Sequence, residues 1–183
     1  MSKRKIIFVG GIHGVGKTTL CKNIESRYNI KHFSASNLIA EEKTEEHLRN
    51  KQVKNIAGNQ DFLVTAINKY FKSEHWYLLD GHFCLLNKDN EITKIPYSTY
   101  EDISPSAILI LVDEPENIYT RLSLRDSIKY NLALLRSFQE QEIDYADYIK
   151  DKLNIPYIMY NTSESEDKIY TFIEDLVDKA VCE

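Results

Sequence analysis

A short glycine-rich segment near the start of the sequence has the residue types and spacing needed to bind phosphate. Residues 11–18 read Gly-Ile-His-Gly-Val-Gly-Lys-Thr, which matches the pattern G-x-x-x-x-G-K-T. Its glycines allow consecutive backbone N–H groups to point at one phosphate group. Lys17 is expected to contact the β- and γ-phosphates of a nucleotide, and Thr18 to offer its hydroxyl to Mg²⁺. The residues predicted to bind the nucleotide here are Gly11, His13, Gly14, Val15, Gly16, Lys17, Thr18 and Thr19.

The segments on either side of this loop have the periodicity that a phosphate site requires. Residues 5–9 are mostly apolar and β-branched, which predicts a buried strand. Residues 18–26 have the pattern of a helix, whose N-terminus would add positive dipole to the site. Strand, loop and helix in this order favour a phosphate-binding loop over a chance glycine-rich turn.

Two aspartates that follow apolar segments are candidates for the acidic partner of the loop. Asp80 ends a strand predicted at residues 76–80, and Asp113 follows a strand predicted at residues 107–112. A carboxylate at such a position can bind Mg²⁺ through water, or orient an acceptor phosphate or hydroxyl group. We assign this role to Asp80 and interpret Asp113 as a turn or helix-capping residue. His82 is expected either to contact the substrate and handle a proton or to act as a hydrogen-bonded structural residue.

Arginines on the next predicted helix are candidates for stabilising a transferring phosphoryl group. Arg121 and Arg125 are four residues apart in a helix that begins near Pro115, so they share one face. Guanidinium groups stabilise the charge that develops on phosphoryl oxygens. We therefore predict catalytic roles for both, in preference to an exposed face paired with neighbouring carboxylates. Arg136 is a further candidate for closing over phosphate.

Strands that alternate with helices must position these residues. Further strands are predicted at residues 29–33 and 155–160, and helical spacing runs through residues 45–72 and 127–153. This alternation predicts an α/β fold with a mainly parallel sheet, whose ligands bind beyond the carboxyl ends of the strands. The phosphate loop, the two strand-end aspartates and Asn161 should therefore lie along one edge of the sheet.

Two segments outside this frame are interpreted from their composition. Residues 84–104 are predicted to be irregular, with a turn near residues 87–90 that could close a hairpin. Within them, Tyr97 and Tyr100 could either line a base pocket or pack in the interior. The polar run at residues 139–142 is interpreted as a solvated helix face.

Length, charge and cysteine content limit the classes of function. A chain of 183 residues suits one domain, and a formal charge of −5 disfavours a nucleic-acid-binding face. The sequence has no apolar run long enough to cross a membrane and no signal-peptide core, so a cytoplasmic location is predicted. The 3 cysteines are scattered, without the spacing of a metal site or a disulfide framework.

Three parts of the chain together resemble the nucleoside-monophosphate kinase group, and most closely its archaeal-type adenylate kinase branch. They are the loop at residues 11–18, the segment Leu-Asp-Gly-His at residues 79–82, and residues 111–122, which include Arg121, the arginine of the lid passage. Weaker similarities are Ser34-Ala35-Ser36 and Asn161, the latter where that family packs a loop against adenine.

The resemblance implies a three-layer P-loop NTPase fold with a five-stranded parallel sheet of order 2-3-1-4-5 and helices on both faces. It implies a single kinase domain over residues 1–183, an acceptor-binding insertion at about residues 34–72 and a lid at about residues 121–136. ATP and Mg²⁺ are the implied cofactors, with Thr18 and Asp80 holding the metal. The remaining residues assigned to substrate or nucleotide binding are Ser36, His82, Arg136 and Asn161. The Asp-Gly-Phe-Pro-Arg segment of common adenylate kinases is absent, so no counterpart of its AMP-binding arginine follows Asp80.

The leading functional hypothesis is an ATP- and Mg-dependent kinase that phosphorylates a nucleoside monophosphate, with AMP as the preferred acceptor. One alternative is a kinase for a hydroxyl acceptor, namely a nucleoside, another metabolite or a polynucleotide 5′ end, with Asp80 as the base. The other is a P-loop ATPase or switch subunit that acts through a protein partner. A nucleotide is the expected substrate, and neither a membrane nor a nucleic acid is an expected partner.

Overall fold

The computed structural model describes residues 5–49, 58–87, 89, 91–126 and 130–179 of the chain. Part of the predicted acceptor-binding insertion, at residues 50–57, and part of the predicted lid, at residues 127–129, lie outside the described residues, as does Cys182. The single-domain organisation, the insertion and the lid therefore stay predictions. None of the helices in the described part of the chain is long and apolar enough to cross a membrane.

Five parallel strands form the central sheet. Every residue of the first, Ile6–Gly10, is buried, and because side chains alternate between the faces of a strand, both faces of the sheet are covered there. The strands are β1 (Ile6–Gly10), β2 (Lys31–Ser34), β3 (Tyr77–Asp80), β6 (Ala107–Val112) and β7 (Tyr157–Asn161), in the spatial order β2-β3-β1-β6-β7.

A separate two-stranded hairpin changes the strand numbering that the sequence predicted. Strands β4 (Cys84–Leu86) and β5 (Ile92–Lys94) pair antiparallel between β3 and β6 in the chain, so the last two sheet strands are the sixth and seventh, not the fourth and fifth. The side chain of Asn87 shapes the turn, since its Oδ1 accepts hydrogen bonds from the N–H groups of Asp89 and Glu91, each at 2.9 Å. The predicted turn thus connects β4 and β5 into a hairpin, within a segment that was otherwise expected to be irregular.

Seven helices cover the sheet in the described part of the chain. They are α1 (Lys17–Tyr28), α2 (Ala35–Arg49), α3 (Asn59–Tyr70), α4 (Tyr97–Ile103), α5 (Pro115–Arg125), α6 (Leu132–Leu153) and α7 (Asp167–Lys179). Helix α1 contacts β1, β2 and β3, whereas α6 contacts β6 and both hairpin strands. Helix α4 was not predicted, because its seven residues are too few to show a helical period.

The register of the parallel strands brings their carboxyl ends to one edge of the sheet. Asp80 is the register partner of both Val9 and Ser34 in neighbouring strands, and Gly10 is the register partner of Ile110. Asp80 therefore lies one strand away from the phosphate loop, which begins directly after β1. This placement follows from the strand order and confirms the edge predicted from the sequence.

Candidate active site

The glycines of the phosphate loop are required by its backbone. Gly11 and Gly14 have φ angles of +136° and +79°, which residues with a side chain rarely adopt. Space is also lacking: a Cβ on Gly11 would lie 2.8 Å from the carbonyl oxygen of Leu111, and one on Gly14 would lie 2.7 Å from Cγ of Leu122. The spacing read from the sequence thus has a local steric cause.

A cavity of about 390 Å³ opens above this loop and the N-terminus of α1. Most of the residues predicted to bind nucleotide lie on its wall, including Thr18 and Thr19. The lining residues are Ile12, His13, Gly14, Gly16, Lys17, Thr18, Thr19, Ser34, Ser36, Asp80, His82, Arg121, Leu122 and Arg125. We call it the phosphate cavity, because a helix N-terminus and a lysine converge on it.

Lys17 is folded back onto the loop that precedes it. Its Nζ donates hydrogen bonds to the carbonyl oxygens of Gly11, at 2.6 Å, and Ile12, at 3.3 Å. Burial lowers the pKa of Lys17 to about 8, against the opposing influence of the Glu142 and Asp80 carboxylates. A phosphate group in the cavity would supply the counter-charge that this ammonium group needs.

A second cavity of about 350 Å³ adjoins the first, and the two share four wall residues. It is mostly apolar, with Phe8, Ile39 and Leu63 among its wall residues. We call it the acceptor cavity, because its wall includes residues of the predicted acceptor-binding insertion at residues 34–72. The residues on the wall of both cavities are Ser34, Ser36, Asp80 and His82. The predicted substrate contacts Ser36 and His82 therefore lie where the two cavities meet.

Asp80 stands at this junction with a histidine partner that the sequence did not predict. The Nε2 atom of His32 lies 2.5 Å from Oδ2 of Asp80, and both side chains are nearly buried. The backbone N–H of His32 in turn donates to Glu25 at 3.1 Å. His32 had no distinctive sequence context; only the pairing of β2 with β3 shows that its side chain can reach Asp80.

His82 is packed against the loop histidine rather than exposed to solvent. Its ring centroid lies 4.2 Å from that of His13, and its Nδ1 atom, among the described residues, has no hydrogen-bond partner. Burial lowers the pKa of His82 well below its usual value, and the neighbouring Lys17 lowers it further. His13 is exposed, and its pKa is also lowered, by partial desolvation and then by Lys17.

Asp113, the other strand-end acid, is enclosed by protein groups. Its Oδ1 accepts hydrogen bonds from the N–H of Glu114 at 2.7 Å and from the Asn117 amide at 2.9 Å. Its Oδ2 accepts one from the Thr162 hydroxyl at 2.5 Å and forms an ion pair with Arg121. Asp113 therefore joins the start of α5 to the loop after β7, but it does not cap the helix, because the N-cap residue of α5 is Glu114.

The predicted catalytic arginines differ in their contacts. Arg121 lines the phosphate cavity but is held by Asp113 and by the carbonyl oxygen of Val15, at 3.1 Å. Arg125 lines the same cavity and forms two hydrogen bonds of 2.8 Å with the neighbouring Asp126, with more than half of its side chain exposed. Arg125 is thus freer to contact a phosphoryl group.

Four of the predicted contacts are not on the wall of either cavity: Gly11, Val15, Arg136 and Asn161. Arg136 forms an ion pair of 3.1 Å with Glu116, and both side chains are more than half exposed. The amide oxygen of Asn161 accepts hydrogen bonds from the N–H and hydroxyl of Ser163, at 2.9 and 2.7 Å. The structure therefore does not bring Arg136 or Asn161 to the site. Arg136 was assigned from its place in the chain, and Asn161 from its strand end and from the resemblance.

A family model described as an AAA domain matches residues 10–131, which include the phosphate loop, Asp80 and Arg125. The chain belongs to this AAA domain family. The matched part contains all the residues that line the two cavities except Phe8.

Two relatives of this AAA domain protein are named as nucleotide kinases. Adenylate kinase isoenzyme 5 from Mus musculus is 33% identical over 67 residues, a match that covers 37% of this chain and 12% of that protein. Cytidylate kinase from Staphylothermus marinus is 25% identical over 182 residues, which is 95% of this chain and 97% of the relative. These relatives support the predicted resemblance to the nucleoside-monophosphate kinase group, while the archaeal-type assignment stays a prediction.

The solved structure of a gluconokinase from Sinorhizobium meliloti 1021 has the same fold. It superimposes with a TM-score of 0.51 at 12% sequence identity, covering 92% of this chain and 87% of the other. The parallel sheet with its phosphate loop is therefore a P-loop kinase fold of the α/β class.

The wall of the phosphate cavity also has ligands suited to Mg²⁺. Mg²⁺ prefers oxygen atoms, and the Thr18 hydroxyl and the Asp80 carboxylate both line this cavity. The donor set of the AAA domain thus fits a nucleotide with its magnesium ion, which would neutralise phosphate charge when bound.

Glu142 is the functional candidate that the sequence interpretation missed. It lies in the run read as a solvated face, but its side chain is only 1% exposed. Burial raises its pKa to about 7, although hydrogen bonds from the N–H groups of Phe83, Cys84 and Gly11 oppose this rise. The helical period of the apolar residues around it, Phe138, Tyr145 and Ile149, could have placed Glu142 on the inner face.

Proposed function

We propose that the protein is an ATP- and Mg-dependent small kinase. The observation that carries this proposal is that the phosphate cavity and the acceptor cavity meet at Asp80 and His82. A γ-phosphoryl group held in the first cavity would then face an acceptor atom in the second. Positioning two reactants in this way supplies much of the rate of a phosphoryl transfer.

The side chains on the phosphate cavity have complementary roles in this proposal. Lys17 and the loop N–H groups hold the phosphates, and Thr18 and Asp80 hold Mg²⁺. Arg125 contacts the transferring group, because it lines the cavity and its nearest ion-pair partner is its own chain neighbour. Arg121 maintains the shape of the loop through Val15 and joins in charge stabilisation only if it leaves Asp113.

A nucleoside monophosphate, with AMP first, is the acceptor that the relatives favour. Both have the names of kinases for such acceptors, and the cytidylate kinase aligns with nearly the whole chain. The acceptor cavity has space for a base between apolar side chains such as Leu63 and Tyr100. In this reaction a phosphate oxygen of the acceptor attacks the γ-phosphorus of ATP, and ADP leaves.

A hydroxyl acceptor is the second candidate, and the charge of the acceptor cavity favours it. Of the described residues on its wall, Lys43 is the one with a cationic side chain, whereas a phosphate dianion is usually held by several cations. Asp80 would then accept the proton of the attacking hydroxyl group, for which it has the right chemistry and position. ADP is again the leaving group.

The test is ADP production from Mg·ATP with a panel of acceptors. The panel contains nucleoside monophosphates, nucleosides, sugars and 5′-hydroxyl oligonucleotides, and the Lys17→Ala protein supplies the background rate. Turnover that depends on AMP or another monophosphate supports the leading proposal, and turnover with a hydroxyl compound supports the second. ATP hydrolysis that no acceptor stimulates would overturn both and indicate an ATPase or switch.

A bisubstrate analogue with two adenosines joined by five phosphates separates the two acceptors further. If the acceptor cavity binds AMP, one analogue molecule fills both cavities and loses its freedom of motion only once. It should then bind more tightly than ATP and raise the melting temperature more at equal concentration. Equal affinities for ATP and the analogue by calorimetry would count against adenylate kinase activity.

A further inference from the structure

Glu142 is a buried carboxylate with three backbone N–H groups directed at it from two different segments. Its Oε1 accepts hydrogen bonds from the N–H of Gly11 at 3.1 Å and from that of Phe83 at 2.9 Å. Its Oε2 accepts one from the N–H of Cys84 at 2.6 Å. Because its two oxygens accept hydrogen bonds from both segments, this buried carboxyl group holds the segments together.

The two segments belong to opposite sides of the reaction. Gly11 is the first residue of the phosphate loop, whereas Phe83 and Cys84 follow His82 and begin the hairpin beside the acceptor cavity. The Phe83 ring also lies against Gly10, where a Cβ would come within 2.4 Å of it. Glu142 is therefore a bridge between the donor loop and the acceptor wall.

Helix α6 makes further contacts of this kind from the same face. Gln139, three residues earlier, exchanges hydrogen bonds of 3.1 and 2.9 Å with the N–H and carbonyl of Asp113. Tyr145, three residues later, donates its hydroxyl to the carbonyl of Ile95 at 2.8 Å. Residues three apart share one side of a helix, so α6 acts as a strut along the site.

We propose that Glu142 is a positioning residue that fixes the distance between the phosphate loop and the acceptor wall. This inference rests on the proposed kinase function, because alignment of donor and acceptor is what it explains. Without the bridge, ATP still meets the loop, Lys17 and Thr18. The acceptor is then held by a wall that moves relative to the loop. The rate of phosphoryl transfer therefore decreases more than the rate of ATP hydrolysis.

The variant for the test is Glu142→Gln, with Glu140→Gln as the matched control. Glutamine keeps the shape and one acceptor oxygen, but it places an NH₂ group opposite the N–H of Cys84. Glu140 is two residues away on the same helix and exposed, so its replacement removes a charge without touching the bridge. Acceptor-dependent ADP production should fall on the order of 10-fold in Glu142→Gln. Acceptor-independent ATP hydrolysis and ATP affinity should change less than acceptor-dependent transfer, because the lost contacts to Gly11 and Lys17 affect all three, whereas a misplaced acceptor affects transfer alone.

Hydrogen exchange provides a second measurement that requires no turnover. In Glu142→Gln, the N–H groups of Gly11, Phe83 and Cys84 should all exchange faster, on the order of 10-fold, because the amide has one acceptor oxygen for three donors and no longer holds both segments. Glu140→Gln should leave all three unchanged. If Glu142→Gln does not fold, the wild-type protein still decides the question, since amides that share one carboxylate should open together with a common protection factor.

The outcomes separate this inference from the proposed function. Faster exchange in both segments, with a lower ratio of transfer to hydrolysis, supports the bridge. Three outcomes overturn it. They are faster exchange in one segment alone, separate protection factors in the wild type, and an equal loss of transfer and hydrolysis. If the wild-type protein shows no acceptor-dependent turnover, the kinase proposal fails, and the exchange data alone then show whether Glu142 joins the two segments.

Discussion

Asp80 and Asp113 end strands on either side of β1, yet their surroundings differ. Asp113 is bound by Arg121, Asn117 and Thr162, so its charge is used within the protein. Asp80 is paired with His32 and lines both cavities. Both carboxylates are buried, so the difference lies in their neighbours: protein groups enclose Asp113, whereas Asp80 borders two cavities.

The largest expected loss of activity concerns the phosphate cavity, which Asp80 lines and Asp113 does not. Lys17→Ala should lower kcat on the order of 10²–10³-fold, because it removes a positive charge from the transferring phosphoryl group. The melting temperature should change little, since the lost partners are two loop carbonyls. Steady-state kinetics and thermal melting on the same samples check both parts. Retained activity would contradict the assignment of the phosphate cavity.

The comparison itself is tested next by Asp80→Asn. Asparagine is nearly isosteric but lacks the charge for Mg²⁺ and the basicity for an acceptor proton, so kcat should fall on the order of 100-fold. Stability should decrease less than in Asp113→Asn, because the substitution weakens one hydrogen bond, to His32, whereas Asp113 has four partners. Acceptor-dependent ADP production and urea unfolding measure the two quantities.

Arg125→Ala should have a smaller effect that separates the two cavity arginines. Removing an arginine that contacts transition-state charge lowers mainly kcat. We therefore expect kcat to fall on the order of 10-fold, with little change in ATP affinity. Arg136→Ala is the control, because its ion pair with Glu116 is exposed and outside both cavities. A loss of affinity at constant kcat would instead make Arg125 a ground-state phosphate contact.

Asp113→Asn should reverse the pattern expected for Asp80→Asn. It weakens an enclosed network, so the free energy of unfolding should decrease by about 1–3 kcal/mol while kcat changes less than about 3-fold. Urea unfolding and kinetics at a temperature well below melting test this. If Asp113→Asn proves the more damaging to catalysis, the functional acid has been assigned to the wrong strand.

The pH dependence of stability provides the smallest test and concerns another buried acid, Glu142. Burial raises its pKa to about 7, so the folded protein favours its protonated form more than the unfolded chain does. Its contribution to the free energy of unfolding is therefore complete below about pH 4.5 and is lost as the pH rises through 7. Four other titratable groups face the same carboxylate and modulate the change of stability with pH: Lys17, His82, Cys84 and Tyr100.

Glu142→Gln should remove that pH dependence. Between pH 5 and pH 8, the stability of the wild type relative to the variant should decrease on the order of 2 kcal/mol. Urea unfolding of both proteins across this range measures it. A difference that increases with pH would mean that the three N–H groups outweigh burial and hold the pKa low.

Local features of the site were predictable because their causes lie within a few neighbouring residues. The positive φ angles at Gly11 and Gly14 are encoded by the residues themselves. Asp80 and Asp113 could be placed at strand ends because apolar runs precede them. Helix α4 and the burial of Glu142 were not predicted, since a short helix has little periodicity and a polar residue on an inner face looks like a surface residue.

By itself, the sequence determined a phosphate loop between a strand and a helix, an α/β chain and a short set of acids and arginines. Only the tertiary structure decided which of them share a site. The order β2-β3-β1 places His32 against Asp80, and the docking of α6 places Glu142 against Gly11 and Cys84. The physical reason is that these contacts join residues 48 to 131 positions apart. Such distances are fixed by packing of whole elements, which no local pattern of residues encodes.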